Sequence, residues 1–154
     1  MAFGFLRYGF VKYLLRKKEV IHRVRMYRMK LNLDHKGLSR ELMVYGVHEP
    51  LETQLIQEVL RPGMHVLDVG GNIGYYALLE ASLVGRHGRV LVLEPAPRNF
   101  EKLKRNIQLN GFTDRIVPFN LAAGDADGQG EMYLGKLDHM HCLMRYPNDH
   151  RYDG

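Results

Sequence analysis

Hydrophobic and polar positions change period several times along the chain, and each change marks an element. From Phe3 to Lys18, the apolar Phe3, Phe5, Leu6, Phe10, Val11, Leu14 and Leu15 interleave with Arg7, Lys12, Arg16, Lys17 and Lys18. That spacing predicts an amphipathic basic helix. From Val20 to Leu33 apolar residues alternate with basic ones, Val24 and Met26 in one phase and Met29, Leu31 and Leu33 in the other. The phase slip near Tyr27 and Arg28 predicts a tight turn or bulge between two short strands. Asp34-His35-Lys36-Gly37 then reads as a turn, and Ser39 as the cap of a short helix carrying Leu42, Met43 and Tyr45.

Beyond Gly46 the pattern becomes more regular. Leu51, Leu55, Ile56, Val59 and Leu60 recur at helical spacing up to Arg61-Pro62-Gly63, where proline cannot continue a helix. Val66-Leu67-Asp68-Val69 is a short β-branched run that opens into Gly70-Gly71-Asn72-Ile73-Gly74, followed by a helix from Tyr75 to Leu83. Val90 to Leu93 is a continuous apolar run of the kind buried inside parallel sheets, closed by Glu94-Pro95. Arg98 to Asn110 predicts a helix with Phe100, Leu103, Ile107 and Leu109 inward, stopped by Asn110-Gly111. Ile116 to Phe119 is a third strand, interrupted by Pro118; Glu131 to Leu134 offers a further brief strand, and the polar stretch from Met144 has no clear period.

Strands alternating with helices over short links predict an α/β fold: a mostly parallel sheet with flanking helices, reduced to the first three βα units. Residues 1–46 read as a small α/β N-terminal appendage and residues 47–154 as a partial ligand-binding domain. The length of 154 residues suits one function rather than two.

Charge changes this picture in one place. Residues 1–45 hold eleven Lys/Arg against three Asp/Glu, a net of +8 within a whole-chain +5, which leaves the rest at −3. A basic, amphipathic arm over residues 1–18 suits peripheral contact with an anionic membrane or an acidic polymer, whereas the plainer reading packs its apolar face on the domain. Nothing points to sequence-specific nucleic-acid binding. No apolar run is long enough to span a bilayer, and no signal-peptide pattern is present, so the cytoplasm is the expected location. A lone Cys142 forms no internal disulfide.

The candidate chemistry lies in the glycine loop. Between a buried strand and a helix, Asp68-x-Gly70-x-x-x-Gly74 lets a ligand approach the backbone, yet it departs from the dinucleotide pattern G-x-G-x-x-G, with Asn72 at the middle position. Glu94, at the tip of the next strand and twenty-four residues after Gly70, can accept hydrogen bonds from a ribose diol. Together these residues point to an adenosine-containing ligand at the carboxyl ends of the strands. The plainer alternative has Asp68 cap the helix and Glu94 start a turn.

These segments resemble the FkbM-type S-adenosylmethionine-dependent methyltransferases. The pieces that carry the resemblance are Arg61-Pro62-Gly63, the stretch from Val66 to Tyr76, Leu93-Glu94-Pro95, and Leu103 to Ile107 with Leu109-Asn110-Gly111, within roughly half of the chain from Leu51 to Gly128. The resemblance implies a Rossmann-like class I methyltransferase fold and O-methylation of a sugar, glycan or other hydroxyl-bearing small molecule. It implies that Asp68, Gly70, Gly71, Asn72 and Gly74 surround the methionine part of S-adenosylmethionine, that Glu94 holds the ribose, and that adenine lies near Asn120, Leu121 and Ala122. Class I enzymes often carry an aspartate where Leu121 stands; Asp125 is the nearest substitute, or a plain turn residue. His48 and Glu49 are further candidates for the pocket edge.

No catalytic base is identifiable. Nothing after Glu131 matches the acceptor-side segment of the resembled family, so the chain reads as truncated, with weak cofactor binding and no turnover expected in isolation. The first strand of such sheets sits centrally, so His65 to Val69 is expected to present an open edge that invites a complementing C-terminal fragment or self-association. Asp138, His139, His141 and Cys142 fit no standard zinc spacing, and no metal is assigned. Two other classes remain in view: a non-catalytic adaptor with a degenerate cofactor domain and a basic arm, and a nicotinamide dehydrogenase, which the missing G-x-G-x-x-G disfavours.

Overall fold

The computed structural model describes residues 2–34, 37–126 and 128–133. The chain opens with helix α1 (Ala2–Gly9), which widens into a π-helical turn over Phe10–Leu14. Strands β1 (Glu19–Val24) and β2 (Tyr27–Asn32) form an antiparallel hairpin, and α2 (Leu38–Tyr45) follows. Then come α3 (Pro50–Val59), β3 (His65–Val69), α4 (Tyr75–Val84), β4 (Arg89–Leu93), α5 (Pro97–Leu109) and β5 (Ile116–Phe119). The last three strands form a parallel sheet in the order β3-β4-β5, the expected run of βα units.

Several expectations about single elements need correction. The hairpin turn falls at Arg25–Met26, with Arg25 at φ 54°, two residues before the predicted slip. Tyr27 is the reason. It belongs to the buried phase with Met29, Leu31 and Leu33, and its hydroxyl reaches Ser82 Oγ at 2.7 Å, so the in-phase run starts earlier than aliphatic residues alone suggest. Ser39 does not cap α2: Gly37 holds that position, and the buried Ser39 hydroxyl accepts the Asn32 backbone N–H at 3.1 Å. Pro118 does not interrupt β5, which stays in register with Val92 opposite it, at the sheet edge where a missing N–H costs least. Glu131 and Met132 form no strand, with only an isolated bridge at Tyr133; Leu134 lies outside the described residues. So do His35 and Lys36 of the predicted turn, and the Asp138–Cys142 cluster.

One hydrophobic core runs from the hairpin and α2 through α4 and α5 to one face of the sheet. Asparagines seal the join. Asn106, fully buried on α5, accepts the Lys30 N–H at 2.7 Å and donates to the Ile73 carbonyl at 2.8 Å. One turn later Asn110 accepts the Arg28 N–H and donates back to the Arg28 carbonyl. Helix side chains therefore satisfy the edge of β2 where a third strand would otherwise pair.

The other face of the parallel sheet is bare. Strand β4 is not buried on both sides as its apolar run suggested. Val90 and Val92 face α4, while Leu91 points outward with Leu67 and Val69 of β3 and Val117 and Phe119 of β5, between 39% and 61% exposed. The outer edge of β3 has no partner among the described residues, as expected. Leu51, Leu55 and Val59 form an exposed stripe on α3, against the inward packing their spacing implied, because α3 meets α4 through its other side. The first helix behaves similarly. Gly4 and Tyr8 dock on α2 and the hairpin, while Leu6, Phe10, Tyr13 and Leu14 face out, so packing of its apolar face onto the domain is partial. No described helix is long and apolar enough to cross a membrane.

Candidate functional site

The loop after β3 is held down by the strand beside it. The N–H groups of Gly70 and Gly71 both donate to the Leu93 carbonyl, at 2.8 and 3.0 Å, and Gly74 N–H donates to Gly71. Gly71 lies so close to β4 that a Cβ there would overlap Val92 Cγ1, which is why that position has no side chain. Gly70 turns at φ +87° with open space where its Cβ would be, so a ligand can lie against its backbone.

Glu94 clasps the same loop. One carboxylate oxygen accepts the Asn72 N–H at 2.8 Å and the other the Ala96 N–H at 2.9 Å, and Asn99 bonds to the same carboxylate. The side chain is 5% exposed. Burial pushes its pKa up, against the three hydrogen bonds that favour the ionised form. A ribose diol therefore has the remaining lone pairs of Glu94 to meet, not an uncommitted carboxylate. Asn120 extends the arrangement: its amide donates to the carbonyls of Glu94 and Pro95 at 2.8 and 3.0 Å. It ties the end of β5 to the tip of β4, with Leu121 exposed next in the chain.

Beneath the loop lies Asp68. Its Oδ2, 3.3 Å from where a Gly71 Cβ would sit, is buried without a hydrogen-bond partner among the described residues. Burial, with the charge of Glu94 second, pushes its pKa up to about 6. An orphaned carboxylate oxygen of this kind is stabilised by a cation. The loop itself offers little to a phosphate, since the N–H groups of Gly70, Gly71, Asn72 and Gly74 are already spent and two carboxylates stand beside it. The arrangement thus fits S-adenosylmethionine, which has positive ammonium and sulfonium groups and no phosphate, better than a dinucleotide.

The structure brings Asp68, Gly70, Gly71, Asn72, Gly74, Glu94 and Asn120 together at the carboxyl ends of β3, β4 and β5. His48 and Glu49 stand near the start of α4. His48 lies 2.9 Å from Glu41 and 3.3 Å from Glu49, its ring against Tyr75 and Tyr76, and the Tyr76 hydroxyl donates to Glu49 at 2.9 Å. Burial, then Glu49, pushes the Tyr76 pKa up. Sequence reasoning missed Glu80. It sits on α4 at 7% exposure with Oε2 unpartnered among the described residues, its carboxyl pushed up to about 8 by burial and then by Asp68. A lone acid on the inward side of Ala77-Leu78-Leu79-Glu80-Ala81 was the signal available.

Residues 37–132 match the family described as Protein-L-isoaspartate(D-aspartate) O-methyltransferase (PCMT). Protein-L-isoaspartate O-methyltransferase 1 of Arabidopsis thaliana is 34% identical over 95 residues, covering 61% of this chain and 41% of that protein. Protein-L-isoaspartate O-methyltransferase of Methanothrix thermoacetophila is 47% identical over 49 residues, 32% of this chain and 23% of its own length. The chain therefore spans less than half the length of these relatives. Among solved structures, M. jannaschii TYW2 in complex with AdoMet aligns with a TM-score of 0.55 at 23% identity, covering 69% of this chain and 44% of that one, a likeness of fold. The Rossmann-like class I methyltransferase fold and S-adenosylmethionine as cofactor agree with the expectations. The FkbM resemblance itself finds no support here; the family matched is a different branch of methyltransferases.

Proposed function

The chain belongs to the protein-L-isoaspartate O-methyltransferase family, and on that premise we propose that it is the cofactor-binding portion of an enzyme that methylates a carboxylate on a protein. The relatives' names support an isoaspartyl carboxylate as acceptor in place of a sugar or glycan hydroxyl. The chemistry of that acceptor supports the change. A hydroxyl must lose a proton to a base, whereas a carboxylate is already ionised at neutral pH, so the reaction asks chiefly for alignment.

When bound, S-adenosylmethionine supplies a methyl group on a positively charged sulfur. The residues of this chain hold it: Asp68 faces its cationic methionine end, the bend at Gly70 leaves room for it, and Glu94 with Asn120 forms the nucleoside end. The buried, unpartnered Oδ2 of Asp68 is the observation that carries this reading. Titration calorimetry of the full chain with S-adenosylhomocysteine tests it. Binding is expected, weakened about tenfold or more in Asp68→Asn, as for loss of one charge-assisted contact. An affinity identical in wild type and variant sinks the assignment.

The bare sheet face and open β3 edge favour a partner with a parallel apolar strand and amphipathic helices, that is, a complementing segment of a methyltransferase domain. On this reading the chain alone binds cofactor weakly and does not turn over; methyl transfer to an isoaspartyl peptide by purified 1–154 would refute it. An adaptor role is favoured only by the outward apolar face of the first helix beside Arg16, Lys17 and Lys18, which suits an anionic membrane surface.

A further inference from the structure

A groove of about 410 Å³ runs between α5 and the β1–β2 hairpin, away from the glycine loop. Arg98, Lys102 and Arg105 line one wall, and Glu19, Lys30 and Asn32 the other. The acids along it are committed: Glu19 pairs with Lys30 at 2.6 Å, and Glu101 with Lys104 at 2.7 Å. Arg98, Lys102 and Arg105 have no carboxylate within ion-pair distance among the described residues. The three are spaced i, i+4, i+7, so they fall in line on one side of α5. The neighbouring side carries the buried Asn99, Leu103, Asn106 and Ile107.

We propose that this groove binds an extended acidic peptide segment of the protein acceptor, with carboxylates at alternate positions. The spacing argues for it. Cations four and three residues apart on a helix stand about 6 and 4.5 Å apart along its axis, and the row covers about 10 Å. An extended peptide places side chains of one face about 6.6 Å apart, close to the Arg98–Lys102 step and about 2 Å wider than the Lys102–Arg105 step, a difference that long, flexible side chains take up. Guanidinium groups suit carboxylates through paired N–H donors, and two of the three cations are arginines. A peptide also brings backbone N–H donors that the carboxylates of Glu19 and Glu101 can accept, which a phosphodiester backbone lacks.

The inference rests on the reading of a protein acceptor but is tested apart from it. Fluorescence anisotropy of the full chain with a labelled peptide of alternating Glu and Ser is expected to show saturable binding that weakens as salt rises. The triple variant Arg98→Gln, Lys102→Gln, Arg105→Gln is expected to bind about tenfold or more weakly, from three lost surface ion pairs. Arg86→Gln, on a loop outside the groove, is expected to leave binding unchanged. S-adenosylhomocysteine affinity, measured on the same samples, reports on the cofactor site and on folding, and is expected to be equal in all three proteins. Tighter binding of an oligothymidine of equal length, no binding of the acidic peptide, or equal loss in the Arg86 variant would each overturn the proposal. Loss of cofactor binding in the wild type would instead fault the proposed function.

Discussion

Glu80 offers the most direct test of the electrostatics beneath the glycine loop. Its carboxyl is buried on α4 with one oxygen unpartnered among the described residues, and its pKa is pushed up to about 8 by burial and then by Asp68. At neutral pH the folded chain keeps this proton while the unfolded chain has released it. Stability must therefore fall as pH rises from the ordinary glutamate range through about 8, and stay level above. Each pH unit in that window costs about 1.4 kcal/mol, so the rise from pH 5 to pH 8 sets a ceiling of about 4 kcal/mol. Glu80→Gln keeps the volume and cannot ionise. Urea denaturation followed by circular dichroism, at pH values from 5 to 9, should show the wild type losing stability from pH 5 to about 8 and staying level above, while the variant lacks the loss between pH 6 and 8. Below pH 6 both should retain a slope of the same sign from Asp68, whose pKa is also raised. Parallel curves for the two proteins between pH 6.5 and 8.5 would refute the reasoning.

Four further outcomes follow from named contacts. Glu94→Gln replaces one acceptor by an amide donor facing the Asn72 or Ala96 N–H, so the unfolding free energy from urea denaturation should drop by about 1–3 kcal/mol, with Glu94→Ala losing more. Asn106→Leu strands the buried Lys30 N–H and Ile73 carbonyl and should cost about 2–5 kcal/mol in the same assay. Leu67→Lys with Leu91→Lys, both on the bare sheet face, should change stability by only about 0.5 kcal/mol per site. The pair should abolish the concentration-dependent association expected of the wild type in sedimentation velocity, and a wild type that sediments as a monomer at all concentrations would count against a sticky face. Leu6→Glu with Phe10→Glu should reduce co-sedimentation with anionic vesicles at low salt, while leaving neutral vesicles unaffected.

The residues that make the loop chemistry were legible because they must be. A strand that ends under a ligand needs a side-chain-poor bend, so Gly70 and Gly71 announce the site in one dimension, and Glu94 follows directly on the end of β4. From α3 onward the helices and parallel strands followed from the pattern within a residue or two, whereas the basic first helix, expected to reach Lys18, ends at Leu14. The family assignment was another matter, since short loop segments are shared among methyltransferases, and resemblance over them gave the cofactor and the fold while the FkbM branch found no support.

What the linear pattern left open was partnership. Apolar spacing says that Leu51, Leu55 and Val59, or Leu91 in its β-branched run, prefer burial; whether anything covers them depends on neighbours that only the assembled sheet reveals. Tyr27 read as a turn residue until the core beside it showed a hydroxyl partner in Ser82. Glu94 read as free to hold a sugar until two backbone N–H groups were seen to occupy it, and Glu80 went unnoticed inside an apolar helix. Periodicity reports which side of an element is apolar, and hydrogen-bond satisfaction and burial are properties of groups brought together from distant positions. That is why the elements and the glycine loop belong to the sequence, while the bare face, the buried acids and the cationic groove belong to the tertiary fold.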